Sequence, residues 1–201
     1  MNIYLISNNL VINNITYETD ASVDEKRLTR VLSIEGEELA KKLAKKIKVS
    51  EVYSSAFASA IETSKYLADA NNLTIKINKR LNDAKIGKMN QHNIKMIRYM
   101  QERNYDFKYE SGESLNETSS RMNNVFKSIL KNTKTDIAIV THKRAIMALL
   151  LKKLDTGFNL EDRLILSYNN KVLLDDTEND IDIIRIKLVN NKIEDIDVID
   201  L

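Results

Sequence analysis

Four consecutive apolar residues, Ile137 to Val140, lead directly into a helical pattern, and this stretch limits the possible folds more than any other in the chain. The run, IAIV, has no polar side chain on either face of an extended segment, which is typical of a strand buried on both sides in a parallel sheet. The residues that follow, THKRAIMALLLKKL, have apolar positions at helical spacing. A buried strand that passes straight into a helix predicts an α/β protein with helices on both faces of the sheet.

The same alternation recurs along the chain. Three further strands are expected, at Ile3–Ile6, Glu51–Ser54 and Leu73–Ile77. Helices are expected from Ser33 through Lys48, after the second strand, up to about Asn104, and from Ser114 to Lys131. A polar loop is expected from about residue 13 to residue 30, because this stretch shows neither period.

Two further features complete the predicted architecture. Asn190 and Asn191 separate two alternating runs, which predicts a C-terminal β-hairpin at about residues 183–199. A helical insertion is expected at about residues 84–111. The whole chain, residues 1–201, is therefore predicted to be one domain: a three-layer α/β/α sandwich with a mostly parallel mixed sheet.

Composition excludes several functional classes. The charges nearly balance, with 31 Lys and Arg against 29 Asp and Glu, and no long basic block is present, so nucleic acid is not an expected partner. The chain has no cysteine, which excludes disulfides, thiolate metal sites and cysteine nucleophiles. No apolar run of membrane-spanning length and no basic, signal-like start is present, so we expect a cytoplasmic protein without a membrane contact. No cofactor and no metal are expected.

Six separated segments carry a resemblance to a known family. They are YLISNN (Tyr4 to Asn9), LSIEGEELAKKLA (Leu32 to Ala44), VYSSAFASAIETS (Val52 to Ser64), RLNDAKIG (Arg80 to Gly87), GESLNETSSRM (Gly112 to Met122) and VTHKRAIMALL (Val140 to Leu150). In this order they resemble the histidine phosphatase superfamily, whose fold is phosphoglycerate mutase-like, over about residues 1–175. The resemblance implies a phosphomonoester hydrolase or a phosphoglycerate mutase.

The resemblance also implies what stands at the end of the first strand. In that family the strand ends in Arg-His-Gly, where the histidine attacks phosphorus and the arginine holds phosphate oxygens. The matching residues here are Ser7, Asn8 and Asn9. An amide nitrogen has a delocalised lone pair and cannot replace imidazole as a nucleophile, and a serine offers a neutral hydrogen bond where guanidinium offers a charged fork.

Three other family positions follow from the same resemblance. A second phosphate-binding arginine falls at Ser59, the acidic proton donor falls at Asp83, where most members have glutamate, and the second histidine falls at His142. His142 and Asp83 are therefore the expected remnants of a catalytic site, and Ser7, Asn8 and Ser59 stand where substrate would bind. The missing nucleophile and arginines predict an inactive binding or regulatory pseudoenzyme with a small anionic or phosphorylated ligand.

Alternative interpretations stay open at this point. Lys143 and Arg144 either restore positive charge at the site or only begin a helix, where cations oppose the helix dipole. With an activated water they would support weak phosphatase activity through His142 and Asp83. Ser7, His142 and Asp83 are also a candidate hydrolytic triad. Ser7 and Asn8 are equally common residues of an ordinary turn.

Two further expectations concern the surface. His92 is expected to lie on the surface of the helical insertion. The C-terminal hairpin is a candidate for pairing across a homodimer.

Overall fold

The computed structural model of the protein describes residues 1–12, 22–88, 94–175 and 181–201. The strands within these ranges are β1 (Asn2–Asn8), β2 (Glu51–Ser54), β3 (Ile75–Ile77), β4 (Ile137–Thr141), β5 (Asp155–Phe158), β6 (Leu164–Tyr168), β7 (Lys171–Asp175), β8 (Ile181–Val189) and β9 (Lys192–Val198). The α-helices are α1 (Val23–Leu28), α2 (Ile34–Lys46), α3 (Ala58–Asn71), α4 (Ile94–Arg103), α5 (Leu115–Asn132) and α6 (Lys143–Leu150). A 3₁₀ turn, Lys79–Leu81, follows β3.

The main sheet has six strands in the order β3-β2-β4-β1-β8-β9. The strands from β3 to β1 are parallel to their neighbours, whereas β8 is antiparallel to β1 and β9 to β8. This mixed, mostly parallel sheet with its helices confirms the α/β class that the strand and helix alternation predicts. The carboxyl ends of β1, β2 and β4 consequently lie at one edge, where α/β proteins place their sites.

The central strands β1 and β4 divide the core into two layers. Because side chains alternate across a strand, residues of odd and even number face opposite sides of the sheet. One cluster contains Ile3, Leu5, Ile137 and Ile139 together with apolar residues of α5 and α6. The other cluster contains Ile6, Ala138 and Val140 together with apolar residues of α2 and α3. All seven strand residues are buried, as the apolar run in β4 predicts.

A second, antiparallel sheet is formed by β5, β6 and β7. Three of its leucines, Leu164, Leu166 and Leu174, are buried in the core cluster that α5 and α6 complete. In the described parts of the chain, no helix combines the length and the apolar composition needed to cross a membrane.

The chain reverses direction between β8 and β9 at Asn190 and Asn191, whose φ angles are 52° and 61°. Asparagine tolerates this left-handed conformation better than most residues do, so the two strands form an antiparallel hairpin with a short turn.

The stretch predicted as a polar loop contains helix α1. Ser22 caps this helix, since its hydroxyl accepts from the amide of Glu25 while the Glu25 carboxylate accepts from the amide of Ser22. This reciprocal pair is a capping box, and the sequence S-V-D-E was its signature. The loop expectation was wrong here because the helix has no apolar stripe for a periodicity search to find. The rest of that predicted loop, residues 13–21, lies outside the described residues.

Candidate functional site

The candidate site lies where β1, β2 and β4 end. Parallel pairing places Ser7 beside Thr141 and Ser54 beside Val140. His142 follows β4 at the position that caps helix α6, although its side chain does not make a capping hydrogen bond. The register therefore brings the end of the first strand next to His142, as the sequence predicts for neighbouring parallel strands.

The imidazole of His142 is held by the segment that follows β2. Its Nε2 atom lies 2.9 Å from Ser55 Oγ, and Ser55 Oγ also accepts a hydrogen bond from the amide of Phe57 at 3.3 Å. The Phe57 ring packs against the imidazole with 4.4 Å between ring centroids and a tilt of 52°. Ser55 and Phe57 thus fix the orientation of His142, and no sequence pattern indicates either contact.

The environment keeps this imidazole neutral. The pKa of His142 is lowered to about 4, mainly by burial, with the Asp83 carboxylate acting in the opposite direction and the positive charges of Arg27 and Arg121 acting in the same direction as burial. A neutral imidazole can accept a proton or a hydrogen bond, but it adds no positive charge to the site at neutral pH.

Asp83 is buried and ionised. Its Oδ1 accepts from the amide of Ala84 at 2.9 Å, and its Oδ2 forms an ion pair with the Nη2 of Arg27. Burial alone would raise the pKa of Asp83, but the charge of Arg27, that of His142 when its imidazole is protonated, the charge of Arg98 and the Ala84 hydrogen bond bring it below its usual value. Because a general acid must carry a proton to donate, this carboxylate is poorly suited to the proton-donor role at neutral pH.

An arginine of α5 fixes the backbone that carries Asp83. Arg121 makes a bidentate pair with Glu113, with both nitrogen–oxygen distances at 2.7 Å. Its Nη1 donates to the carbonyls of Arg80 and Asn82 at 2.8 and 2.9 Å, and its Nη2 donates to the carbonyl of Asp83 at 3.3 Å. Planar guanidinium suits such a multiple contact, so Asp83 is presented by a rigid segment.

Asn8 lies at the tip of β1, and both polar atoms of its side-chain amide form hydrogen bonds with the backbone. Its Nδ2 donates to the carbonyl of Gly36 at 2.9 Å, and its Oδ1 accepts from the amide of Leu10 at 3.3 Å. Asn8 is only 7% exposed. The side chain therefore joins the end of β1 to the start of α2.

Ser7 contacts a carboxylate of the neighbouring strand β8. Its hydroxyl donates to Asp182 Oδ2 at 2.8 Å, and Asn9 Nδ2 lies 3.5 Å from the same oxygen. In the described parts of the chain no hydrogen bond joins Ser7 to His142, whose Nε2 is instead next to Ser55. The triad of Ser7, His142 and Asp83 is thus not assembled by direct contacts in this structure.

The adjacent cations Lys143 and Arg144 are both buried at the start of α6. Lys143 Nζ lies 3.3 Å from Asp182 Oδ2. Arg144 lies 3.2 Å from both the Glu102 carboxylate and Gln101 Oε1. Each cation is therefore compensated by a carboxylate of another element, which offsets the unfavourable position at a helix N-terminus.

Two of the remaining residues singled out from the sequence, Ser59 and Ser114, lie at the starts of helices. Ser59 is buried in the first turn of α3, and its carbonyl accepts from Thr63 Oγ1 at 2.9 Å. Ser114 caps α5 in a second capping box with Glu117. His92 lies outside the described residues.

A small cavity of about 20 Å³ adjoins Asp83. Its lining includes three arginines from separate elements, Arg27, Arg98 and Arg144, with Ile86 and Ile97. Space of this size holds about one water molecule and is too small for a phosphate ester. Sequence reasoning missed Arg27 and Arg98 because nothing in the pattern links them to Asp83.

Metal binding has no obvious donor set at this site. The described ranges contain no group of three or more His, Asp and Glu side chains placed to hold an ion. The Arg27 charge acts on both His142 and Asp83, and a guanidinium cation repels a divalent metal ion and offers it no lone pair.

The fold resembles that of several solved structures. The chain matches a mycobacterial hydrolase with a TM-score of 0.65 and 14% identity, covering 92% of each chain. It matches the native mycobacterial glucosyl-3-phosphoglycerate phosphatase with a TM-score of 0.63 and 15% identity, covering 92% of this chain and 90% of that one. It also matches a mutant phosphoserine phosphatase from Entamoeba histolytica, in complex with phosphoserine, with a TM-score of 0.61, 15% identity and coverage of 98% and 96%.

The sequence comparisons differ in outcome. The family model of the histidine phosphatase superfamily (branch 1) matches residues 20–188. The matched stretch begins after β1, so it includes Ser59, Asp83 and His142 but not Ser7 or Asn8. No curated protein matches the chain.

Proposed function

Since this chain belongs to the histidine phosphatase superfamily, we propose that it is a member without phosphoryl-transfer activity, which acts as a binding or regulatory protein. In this proposal the chain has lost the phosphoryl-transfer chemistry at the strand ends and has retained the family fold.

The observation that carries the proposal is the bonding of Asn8. The sequence resemblance implies that Asn8 stands in the position of the nucleophilic histidine. Its side-chain amide is bonded at both ends to backbone, to Gly36 at 2.9 Å and to Leu10 at 3.3 Å. Covalent phosphoryl transfer needs a lone pair directed at phosphorus. An amide that holds the loop together, and whose nitrogen lone pair is delocalised, does not supply one.

The charge at the end of β1 also supports the proposal. Ser7 stands where the family arginine would bind phosphate oxygens, and its hydroxyl donates to the buried carboxylate of Asp182. Lys143 pairs with the same carboxylate, so its positive charge is already compensated within the protein. An incoming phosphate would therefore meet an ion pair that is already satisfied within the protein, without the guanidinium that stabilises the transferring phosphoryl group.

A second candidate function is weak hydrolysis of a small phosphorylated metabolite through His142 and Asp83. The observation in its favour is the group of Arg27, Arg98 and Arg144 around the cavity beside Asp83. Guanidinium groups suit phosphate recognition, and the resembling structures include phosphatases. Against it, the pKa of Asp83 is lowered, which disfavours the protonated acid that leaving-group protonation needs.

One set of assays separates the two functions. We expect the native protein to release no p-nitrophenol from p-nitrophenyl phosphate above the rate without protein, at any pH at which it is folded. Turnover by the native protein that is lost in both His142→Ala and Asp83→Asn would support the second function and exclude the first.

A reversion experiment tests whether phosphoryl-transfer activity is absent because of the residue types at positions 7, 8 and 59. The triple variant Ser7→Arg, Asn8→His and Ser59→Arg restores the residues that the family resemblance implies, and a triple variant with Asn8→Gln in place of Asn8→His is its matched control. Activity in the first variant alone would support a scaffold that lost its nucleophile. Equal activity in both variants would contradict the role proposed for position 8.

A further inference from the structure

Helix α1 lies against the segment that carries Asp83 and is attached to it by two charged side chains one helical turn apart. Asp24 accepts from the amides of Ile86, at 3.0 and 3.1 Å, and Gly87, at 3.0 Å. Arg27 forms the ion pair with Asp83 and donates to the carbonyl of Ala84 at 3.1 Å. Asp24, near the start of α1, and Arg27, near its end, therefore both attach the helix to residues 83–87.

Arg27 also reaches the group that holds His142. Its guanidinium carbon lies 5.8 Å from the centroid of the Phe57 ring, within the range of a cation–π contact. Phe57 in turn packs on the imidazole of His142. The side chain of Arg27 is 11% exposed, so it fills space between Asp83 and Phe57. With Arg27 in this position the cavity beside Asp83 is about 20 Å³.

The two sides of this contact differ in how firmly they are held. Gly87 has a φ of 94°, and a Cβ atom built on it would lie 2.3 Å from the carbonyl of Glu110, so its segment is packed tightly against residues 110–112. Hydrogen bonds from Lys88 to the Glu110 carbonyl at 3.0 Å and from Glu113 to the Lys85 carbonyl at 2.9 Å add to this attachment. The segment that carries Asp83 is therefore the fixed side.

Helix α1 is the weakly held side. It has six residues, none of them buried. A helix this short is marginal by itself, and because none of its apolar side chains is fully buried, the polar contacts of Asp24 and Arg27 contribute much of what holds it in position. Elements with few buried apolar contacts open at low free energy relative to the core.

We propose that α1 is an intramolecular strap, in which Asp24 and Arg27 together close the site at the strand ends, and that its release opens the space beside Asp83 and His142. The strap goes beyond the proposed function, because it describes access to the site whether or not the site retains any chemistry.

The test changes Asp24, near the start of α1, and measures the pKa of His142, which the charge of Arg27 near the end of α1 influences. Asp24→Ala removes the contacts to Ile86 and Gly87 and the 3.1 Å ion pair of Asp24 with Arg27, but it leaves Arg27 and its own contact with Asp83 in the chain. The measurement is the pKa of His142, from an NMR titration of its ring protons in a His92→Gln background so that a single histidine is observed. Lys26→Ala is the matched control, since Lys26 is on the same helix and its side chain makes no hydrogen bond or ion pair with residues 83–88, all of which the structure describes.

The strap predicts that Asp24→Ala raises the pKa of His142 toward 6.5, because opening hydrates the imidazole and moves the Arg27 charge away. Direct electrostatics predicts the opposite direction, because loss of a negative charge disfavours a protonated imidazole. Arg27→Ala should raise the pKa as well, and Lys26→Ala should leave it unchanged.

An unchanged or lowered pKa in Asp24→Ala, with Lys26→Ala as reference, would overturn the strap. Circular dichroism identifies a variant that has unfolded, and Arg27→Ala then provides the second test: native-like exchange of the Ile86 and Gly87 amides in that variant would equally overturn it. Neither readout depends on phosphatase activity, so failure of the strap and failure of the proposed function are distinguishable.

Discussion

His142 shows what a single buried residue contributes to the pH dependence of stability. Burial and neighbouring arginines hold its pKa at about 4 in the folded protein, against 6.5 for an unperturbed imidazole. Between these two values the unfolded chain binds a proton that the folded chain does not, so the free energy of unfolding falls as pH falls through this window. The full effect is at most about 3 kcal/mol.

Urea denaturation at a series of pH values measures this dependence. The variant His142→Gln should lose most of the slope between pH 6.5 and the region near pH 4. Below that region Asp83, whose pKa is lowered, contributes its own loss of stability as it becomes protonated. An unchanged slope in His142→Gln would show that the imidazole is not buried as described.

Asn8 is the second residue whose contacts make a measurable prediction. Asn8→Ala leaves the carbonyl of Gly36 and the amide of Leu10 without their side-chain partner. Because the site is buried, we expect the free energy of unfolding to fall by about 1–3 kcal/mol in urea denaturation. The control is Asn132→Ala at the exposed end of α5, where the loss should stay within about 0.5 kcal/mol.

The sequence predicts which residues lie at the strand ends, but it does not predict which side chains they contact. His142 and Asn8 could be placed from the strand pattern and the family resemblance, because a parallel sheet brings strand ends together. The partners Asp182 of Ser7 and Ser55 of His142 depend on tertiary packing over long sequence separations, which no local period records. The resemblance identified only the two family arginine positions, both occupied by serine here, and gave no indication of Arg27 and Arg98, which line the cavity beside Asp83.

At the scale of elements, the start of α2 is packed against the loop after β1. A Cβ atom on Gly36 would lie 2.3 Å from the carbonyl of Leu10, which is backbone and has little room to move. Gly36→Ala should therefore separate the helix from the loop and lower the free energy of unfolding by about 1–3 kcal/mol. Glu38→Ala, exposed on the same helix, should change it by less than about 0.5 kcal/mol, and equal effects of the two variants would contradict this packing.

The attachment of α5 to the Asp83 segment makes a separate prediction. Arg121→Lys keeps the charge but loses the fork that contacts Glu113 and three backbone carbonyls. We expect a loss of about 1–3 kcal/mol in the free energy of unfolding. The reverse exchange at an exposed position of the same helix, Lys127→Arg, should be neutral; a neutral Arg121→Lys would mean that charge alone suffices.

Elements with a strong period were predictable from the sequence, and the others were not. The apolar run of β4 and the apolar stripe of α5 correspond to observed elements within a residue or two. Helix α1 has no apolar stripe because it buries none of its residues, so only its capping box indicated it. The small sheet of β5, β6 and β7 is made of short strands, whose patterns are weak outside their tertiary context.

In the whole molecule, the residues that determine the fold differ from those whose substitution is proposed to remove phosphoryl transfer. The fold follows from two apolar layers on either side of β1 and β4, which do not involve the strand-end residues. Substitution at positions 7, 8 and 59 can therefore remove chemistry while the sheet is retained. This independence is why the scaffold was predictable from the sequence more fully than the state of its site.

The most direct test of the central claim, that the native chain does not form a phosphoryl-enzyme intermediate, is intact-protein mass spectrometry after rapid mixing with p-nitrophenyl phosphate and acid-free quenching. We predict only the unmodified mass, for the native protein and for Asn8→Gln alike. A phosphoryl adduct on the native chain, lost when His142 is replaced by alanine, would contradict the account.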